Sequence, residues 1–349
     1  MKQIKIANKK IGDGNPCFII AEAGSNHNGN LATAKKLIDT AVLAGADAVK
    51  FQNFSADTLY PKTNKGVKYL GNKEPIYDII KKAEMPKDWV PKLALYAKRK
   101  GIIFFSAVFS EQDADLVAPH VPAFKIGSYE IDHVPLIKYV SQKKKPVIIS
   151  TGTATSVREV KNAVKAIKSV GNNNVCVMQC TGKYPTPIGR LNVKVIEQFK
   201  KEFNVPVGLS DHSAHALYGA AAAVSVGANL YEKHFTLDKN QKGPDHSFAL
   251  NPKELKQCID LIRNTEKAVG SSIKELQKVE KELFDFRRAV YTTKPIKKGE
   301  LITKDNTKIL RKPGIAEKGI LPVDYNKVLN KKVKKNILDF VLLKKSNLQ

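Results

Sequence analysis

Two apolar runs of this chain break off into ionisable side chains. Val205-Pro-Val-Gly-Leu ends in Ser210, Asp211 and His212, and the run from Asn229 ends in Glu232, Lys233 and His234. A neutral imidazole is either a nitrogen ligand for a divalent ion or an acid–base group, and spacing alone leaves both open. Asp211 reads equally as a ligand or as a partner that steadies one. Between the two runs, alanine-rich Ala214–Gly227 reads as a helix closed by the Gly227-Ala228 turn. A right-handed strand–helix–strand crossover brings both imidazoles to the same end of a parallel sheet, where they could share one ion.

Eight such runs punctuate the chain: Phe18–Gly24, Ala48–Gln52, Ile102–Val108, Ala123–Ser128, Pro146–Gly152, Val175–Cys180, Val205–Asp211 and Asn229–His234. Segments with helical periodicity separate them, among them Leu31–Ala44, Ser156–Ser169 and Asn192–Phe203. Eight strands alternating with helices over about 250 residues predict an α/β fold, a (β/α)8 TIM barrel. A doubly wound sheet is the rival, but no Gly-x-Gly-x-x-Gly turn follows the first strand. Catalytic groups of such barrels sit at the carboxyl ends of the strands. Here those ends supply Glu22, Lys50, Gln52, Ser106, Lys125, Ser128, Glu130, Ser150 and Tyr184 besides the pairs above.

Lys50 and Lys125 interrupt apolar runs and, with Ser106, Ser128 and Ser150, form a lining suited to phosphate and carboxylate. His212 and His234, completed by water or substrate oxygens, suit an open octahedral site for Mn²⁺ or Mg²⁺. Glu22, Gln52, Tyr184, Asp245 and His246 can hydrogen-bond a polyhydroxylated substrate. The Gly243-Pro-Asp-His246 loop after the last strand is expected to close over the site.

Composition narrows the classes. Hydrophobic residues make up 42 %, ordinary for a soluble domain, and no apolar run reaches the length of about 18 residues that a membrane span needs. The basic N-terminus lacks the apolar core of a secretory signal. The four cysteines show no C-x-x-C spacing and read as buried thiols in a reducing cytoplasm. The net charge of +26 is spread along the chain with no arginine-rich arm and no nucleic-acid-binding motif, which points to solvated faces and to steering of an anionic small molecule. Residues 1–270 read as the barrel and 271–286 as a charged helical linker. Residues 287–349, where short β-like runs alternate with turn signals, read as a small separate domain.

The strings Ala21-Glu-Ala-Gly-Ser-Asn-His-Asn-Gly29, Lys50-Phe-Gln52, Phe124-Lys-Ile-Gly-Ser128, Tyr184-Pro-Thr-Pro187, Gly208-Leu-Ser-Asp-His212, Glu232-Lys-His-Phe-Thr236 and Gly243-Pro-Asp-His246 resemble the sialic acid synthase family. The tail is similar to the antifreeze-like (SAF) domain of the same proteins. The resemblance implies condensation of phosphoenolpyruvate with N-acetylmannosamine or a related amino sugar. It implies that Lys50, Ser106, Lys125, Ser128, Ser150 and Ser213 hold phosphoenolpyruvate. His212 and His234 would bind a divalent metal, Mn²⁺ foremost, with Mg²⁺ or Co²⁺ as alternatives. Glu22, Gln52, Tyr184, Glu232 and Asp245 would hold the sugar, and Glu130 would be the base for water. It further implies a domain-swapped homodimer in which an arginine of the small domain reaches the partner's barrel.

Two positions depart from the family's pattern. Gly182 stands where a polar residue is usual, with Lys183 beside it as a candidate replacement. In Arg311-Lys312-Pro313-Gly314 a lysine precedes the proline, and the reaching residue is expected to be Arg311 rather than Lys312. The expectation is a cytoplasmic, metal-dependent N-acetylneuraminate synthase with no nucleic-acid or membrane partner. Alternatives are a legionaminate or other nonulosonate synthase acting on a diacetamido sugar, a Schiff-base aldolase using Lys125 or Lys50, and a non-catalytic carbohydrate-binding protein.

Overall fold

The computed structural model describes residues 3–62 and 74–349. A short hairpin, β1 (Ile4–Ile6) and β2 (Lys9–Ile11), precedes the barrel. Its three-residue strands are too short to show a period in the sequence. Its Ile4, Ile6 and Ile11 are buried in the main core, and Lys9 pairs with Asp47 at 2.8 Å, just ahead of the barrel's second strand.

Among the described residues, eight parallel strands close into a barrel. They are β3 (Phe18–Gly24), β4 (Ala48–Asn53), β5 (Ile103–Val108), β6 (Phe124–Ile126), β7 (Val147–Ser150), β8 (Val175–Cys180), β9 (Val207–Asp211) and β10 (Leu230–His234). β10 closes on β3 with Leu230 opposite Phe18 and His234 opposite Glu22. The helices around it are α1 (Leu31–Ala44), α2 (Ala56–Leu59), α3 (Ile76–Ala83), α4 (Trp89–Lys100), α5 (Glu111–Val117), α6 (Val134–Gln142), α7 (Val157–Ser169), α8 (Val195–Phe203), α9 (Ala216–Ser225) and α10 (Pro252–Val269). Their local signals are plain. In α1, the Asn30 side chain accepts from Thr33 N–H, and Gly45 at φ 87° terminates the helix. α10 opens with Pro252 behind a reciprocal Asn251–Glu254 capping box.

The strands start and stop within a few residues of the sequence reading, because the buried apolar run defines each of them. The differences lie at the ends: the fifth run loses its flanking Pro146, Thr151 and Gly152, and the segment from Asn192 becomes helical only at Val195. A proline cannot donate to the ladder, so Pro146 and Pro206 stand just before their strands and give only their carbonyls, which accept from Phe124 and Val177 N–H at 2.9 and 3.1 Å.

The chain divides into two compact units, Met1–Gly270 and Ser271–Gln349. The expected helical linker is not an α-helix. Two 3₁₀ turns, Lys278–Glu280 and Glu282–Phe286, occupy it, and most of its side chains face solvent. In the second unit β11 (Arg288–Thr292) runs antiparallel to β12 (Thr307–Arg311), and α11 (Tyr325–Val328) follows. Val290, Ile296, Ile302, Ile320, Val333 and Leu343 form its own small core.

Candidate active site

Strand side chains alternate between the barrel interior and the helix layer, so register decides which groups meet. At the carboxyl end, Glu22, Lys50, Gln52, Lys125, Glu232 and His234 line one cavity of about 200 Å³, together with Ser128, Glu130, Ser150, Tyr184, His212 and Asp245. A wall of Phe54, Leu59, Ile80 and Phe109 bounds it.

Four buried charges form an alternating chain across the barrel. Glu22 lies 3.0 Å from Lys50, Lys50 lies 3.5 Å from Glu232, and Glu232 lies 3.0 Å from Lys125. Gln52 donates to the other oxygen of Glu22 at 2.8 Å. The inner members are held charged: burial opposes it, but the neighbours on both sides outweigh burial, lowering Glu232 and raising Lys50. For the outer members burial wins. Glu22 is pushed up and Lys125 down, each having one opposite charge in contact. An anion arriving beside Lys125 would supply the counter-charge it lacks.

His212 and His234 stand with ring centres 6.0 Å apart. Burial keeps both neutral, holding His212 down at about 3 and His234 well below the usual imidazole value. Thr181 O lies 3.0 Å from His212 Nδ1, which must therefore carry the hydrogen, while Tyr184 donates to Nε2 at 2.9 Å. His234 Nδ1 is buried without a hydrogen-bond partner, with Asp245 Oδ2 3.9 Å away. Asp245 is pushed up to about 6 by burial. This close approach depends on Gly24, at φ +51°, where a Cβ would fall 2.7 Å from the Asp245 carboxylate. Neutral imidazoles, one with an orphaned nitrogen, fit a divalent cation. Among the described residues no three His, Cys, Asp or Glu side chains converge on a metal position, so water or substrate oxygens would complete the shell.

Glu130 is buried beside the cavity, pushed up to about 7 by burial, and its Oε2 has no partner. Gly127 makes the room: a Cβ there would lie 2.4 Å from that oxygen. The hydroxyls divide. Ser150 Oγ is buried without a partner and lines the cavity, and Ser128 Oγ accepts from Gly152 N–H at 3.0 Å. Ser106 and Ser213, expected at the phosphate side, do not line the cavity wall. Ser106 hydrogen-bonds the Phe51 and Ala107 carbonyls, and Ser213 is wholly buried. Ser210 takes the place expected of Ser213: it precedes His212 by two residues and so shares its inward direction, and it donates to Glu232 at 3.4 Å.

Three further residues differ from expectation. His246 is committed to Thr236 at 2.7 Å and Asn28 at 3.1 Å rather than to the cavity, which leaves Asp245 as that loop's polar contribution. Lys183 is exposed and outside the cavity lining. Gly182, whose N–H donates to Gly152 O at 3.1 Å, leaves little space for a side chain, since a Cβ would meet that oxygen at 3.2 Å. In the second unit, Lys312 is buried and tied to the Ile315 and Glu317 carbonyls at 2.9 and 3.3 Å and to Asp285 at 3.4 Å. Arg311 is exposed at the end of β12.

Comparison with known proteins identifies this arrangement. The NeuB family pattern matches residues 37–274, and the SAF domain pattern matches residues 287–339. The chain belongs to the NeuB family. Its similarity to other proteins is spread over both units. The chain is 45 % identical over 339 residues to the spore coat polysaccharide biosynthesis protein SpsE of Bacillus subtilis, covering 92 % of this chain and 90 % of that protein. It is 37 % identical over 335 residues to the N,N'-diacetyllegionaminic acid synthase of Campylobacter jejuni, covering 94 % and 98 %. Among solved structures it resembles the N-acetylneuraminic acid synthetase of Leptospira borgpetersenii, crystallised with citrate, at a TM-score of 0.74 and 31 % identity, covering 82 % and 96 %. The NeuB-family barrel and the SAF domain are therefore both present, and the protein is an enzyme of the sialic acid and nonulosonate synthase family.

Proposed function

We propose that this NeuB-family protein condenses phosphoenolpyruvate with the open-chain form of an N-acetylated amino sugar, releasing phosphate and a nonulosonic acid. The observation that carries this reading is the alternating charge chain. It ends in a lysine with an unmet demand for negative charge, in a cavity that also holds the partnerless Ser150 hydroxyl and a carboxyl group poised near neutrality.

Lys125, Lys50, Ser128, Ser150 and Ser210 hold the phosphate and carboxylate of phosphoenolpyruvate. Glu22, Gln52, Tyr184, Glu232 and Asp245 face the sugar. His212 and His234 would hold a divalent ion, Mn²⁺ foremost, which when bound would supply Lewis-acid polarisation of the aldehyde. The π electrons of the phosphoenolpyruvate methylene form the new bond to the aldehyde carbon, leaving a cationic C2. Water adds to C2 while Glu130, as the carboxylate, takes one of its protons and passes it to the alkoxide left at the former aldehyde carbon. The tetrahedral intermediate then breaks its C2–O bond to phosphate, the C2 hydroxyl proton leaving with the phosphate as the ketone forms. The buried Glu232 carboxylate, held charged by Lys50 and Lys125, would favour positive charge developing in the cavity.

N-acetylmannosamine is the substrate we propose, and the relative named for legionaminic acid supports a diacetamido sugar as the alternative. Arg311, exposed while Lys312 is bound within its own unit, is the residue we propose to reach the sugar of a partner subunit in a swapped homodimer. No helix among the described residues is long and apolar enough to cross a membrane, and a phosphoenolpyruvate-consuming enzyme belongs in the cytoplasm. The test is phosphate release from phosphoenolpyruvate with each acetamido sugar in turn, before and after chelation and Mn²⁺ readdition. Release that requires a sugar, stops on chelation and returns with Mn²⁺ is expected. Sugar-independent release, or full activity in excess chelator, contradicts the corresponding part.

A further inference from the structure

Behind His212, on the side of the barrel wall that faces the helices, lies a second buried charge that the proposed chemistry does not use. Strand β10 sends Glu232 and His234 inward, and the intervening Tyr231 and Lys233 outward. Lys233 is 2 % exposed, and its ammonium donates to the carbonyls of Asp211, at 3.2 Å, and of Ser213. These are the two carbonyls that flank His212. The Asp211 carboxylate accepts from Ser213 N–H at 2.7 Å through one oxygen and from Tyr231 O–H at 2.8 Å through the other. The His212 carbonyl accepts from Thr186 N–H at 2.9 Å. The backbone on both sides of the imidazole is thus tied down. α9 also yields space to the arrangement: a Cβ on Gly219 would fall 2.4 Å from the Asp211 carboxylate.

We infer that Lys233, with Asp211 and Tyr231, is a positioning device that fixes the direction of the His212 imidazole from outside the barrel. A buried ammonium is costly unless fully paired, and here its hydrogen bonds go to the carbonyls of the two residues on either side of His212. Lys233 touches no substrate; it acts through His212. A strand with an alternating pattern thereby serves the site twice, its inner face carrying the reacting groups and its outer face aiming a neighbour's.

This rests on His212 being a working residue of the proposed site, so the test reads the ring itself as well as ion binding. In histidine-labelled protein, with the His212 ring signals assigned through His212→Gln, Lys233→Met is expected to shift or broaden those signals. The signals of His120 and His133 should stay in place. The Mn²⁺ dissociation constant of the full-length protein, measured by calorimetry, is expected to rise at least tenfold. Tyr231→Phe should give the same shift to a smaller degree, and it decides the matter if Lys233→Met does not fold. If wild-type protein takes up no Mn²⁺, the metal assignment falls and the ring signals alone judge the device. Unmoved His212 signals in a folded Lys233→Met or Tyr231→Phe variant overturn it, whatever the activity.

Discussion

The barrel mouth and the small C-terminal unit use lysine in opposite ways. Lys50, Lys125 and Lys233 are 3 %, 3 % and 2 % exposed, and each is ion-paired or bound to carbonyls at the carboxyl end of a strand. In the second unit Lys297, Lys298, Lys331, Lys332, Lys334 and Lys335 all face solvent. Removing an ammonium from water costs several kcal/mol that pairing must offset, whereas a solvated one costs nothing to keep. A net charge of +26 therefore mixes two populations, and burial separates the few lysines that bear on chemistry from the many that bear on solubility.

His234→Ala gives the largest expected break in this contrast. Removing the orphaned imidazole should lower kcat at least a thousandfold, about 4 kcal/mol, with phosphoenolpyruvate binding retained in equilibrium measurements. Lys125→Met follows: kcat/KM for phosphoenolpyruvate should fall at least tenfold, about 1.4 kcal/mol, with the sugar KM moved far less. An equal loss for both substrates would make Lys125 a structural member of the charge chain.

Glu130 sharpens the contrast through pH. As a base it works deprotonated, so kcat/KM should rise with pH through about 7, and Glu130→Gln should abolish that limb with most of the activity. Stability runs the other way. The folded-state value lies above the ordinary 4.5, so the protonated carboxyl favours the fold at low pH, and that contribution is lost as pH rises through about 7. Melting curves should accordingly show Glu130→Gln above wild type at pH 8 and level with it near pH 4.

Lys312 is the second unit's exception, buried and fully bonded. Lys312→Ala is expected to cost stability, roughly 1–3 kcal/mol from the carbonyls and carboxylate left unpaired, seen as a lower melting temperature. Arg311→Ala should leave melting unchanged and raise the sugar KM. The smallest effect belongs to Lys334→Gln and Lys335→Gln, expected within about 0.5 kcal/mol in stability and without effect on turnover.

Much of this site was legible in the sequence because a buried parallel strand is a short apolar run, and its end is marked by the first polar residue. That signal located all eight barrel strands and the cavity positions of Lys50, Lys125, Glu130, His212 and His234. Pairing was not legible. That Glu232 would join Lys50 to Lys125 depends on which strands face each other across the barrel, and no local pattern carries this. Register explains why Ser210 and not Ser213 lines the cavity: both lie close to His212 in sequence, but only a separation of two preserves direction in a strand. The N-terminal hairpin went unseen because its three-residue strands are too short for periodicity. The linker's charge pattern suggests a helix, yet most of its apolar residues are exposed, Val279 and Leu283 at 87 % and 64 %.

In the proposed reaction water attacks C2 of phosphoenolpyruvate after carbon–carbon bond formation, so that the C2–O bond breaks and not the O–P bond. Phosphoenolpyruvate labelled with ¹⁸O at the bridging position, turned over with the acetamido sugar that supports activity, distinguishes the two by mass spectrometry. All of the label is expected to leave in inorganic phosphate, and only when the sugar is present. Label retained in the organic product would place the cleavage at phosphorus and contradict it.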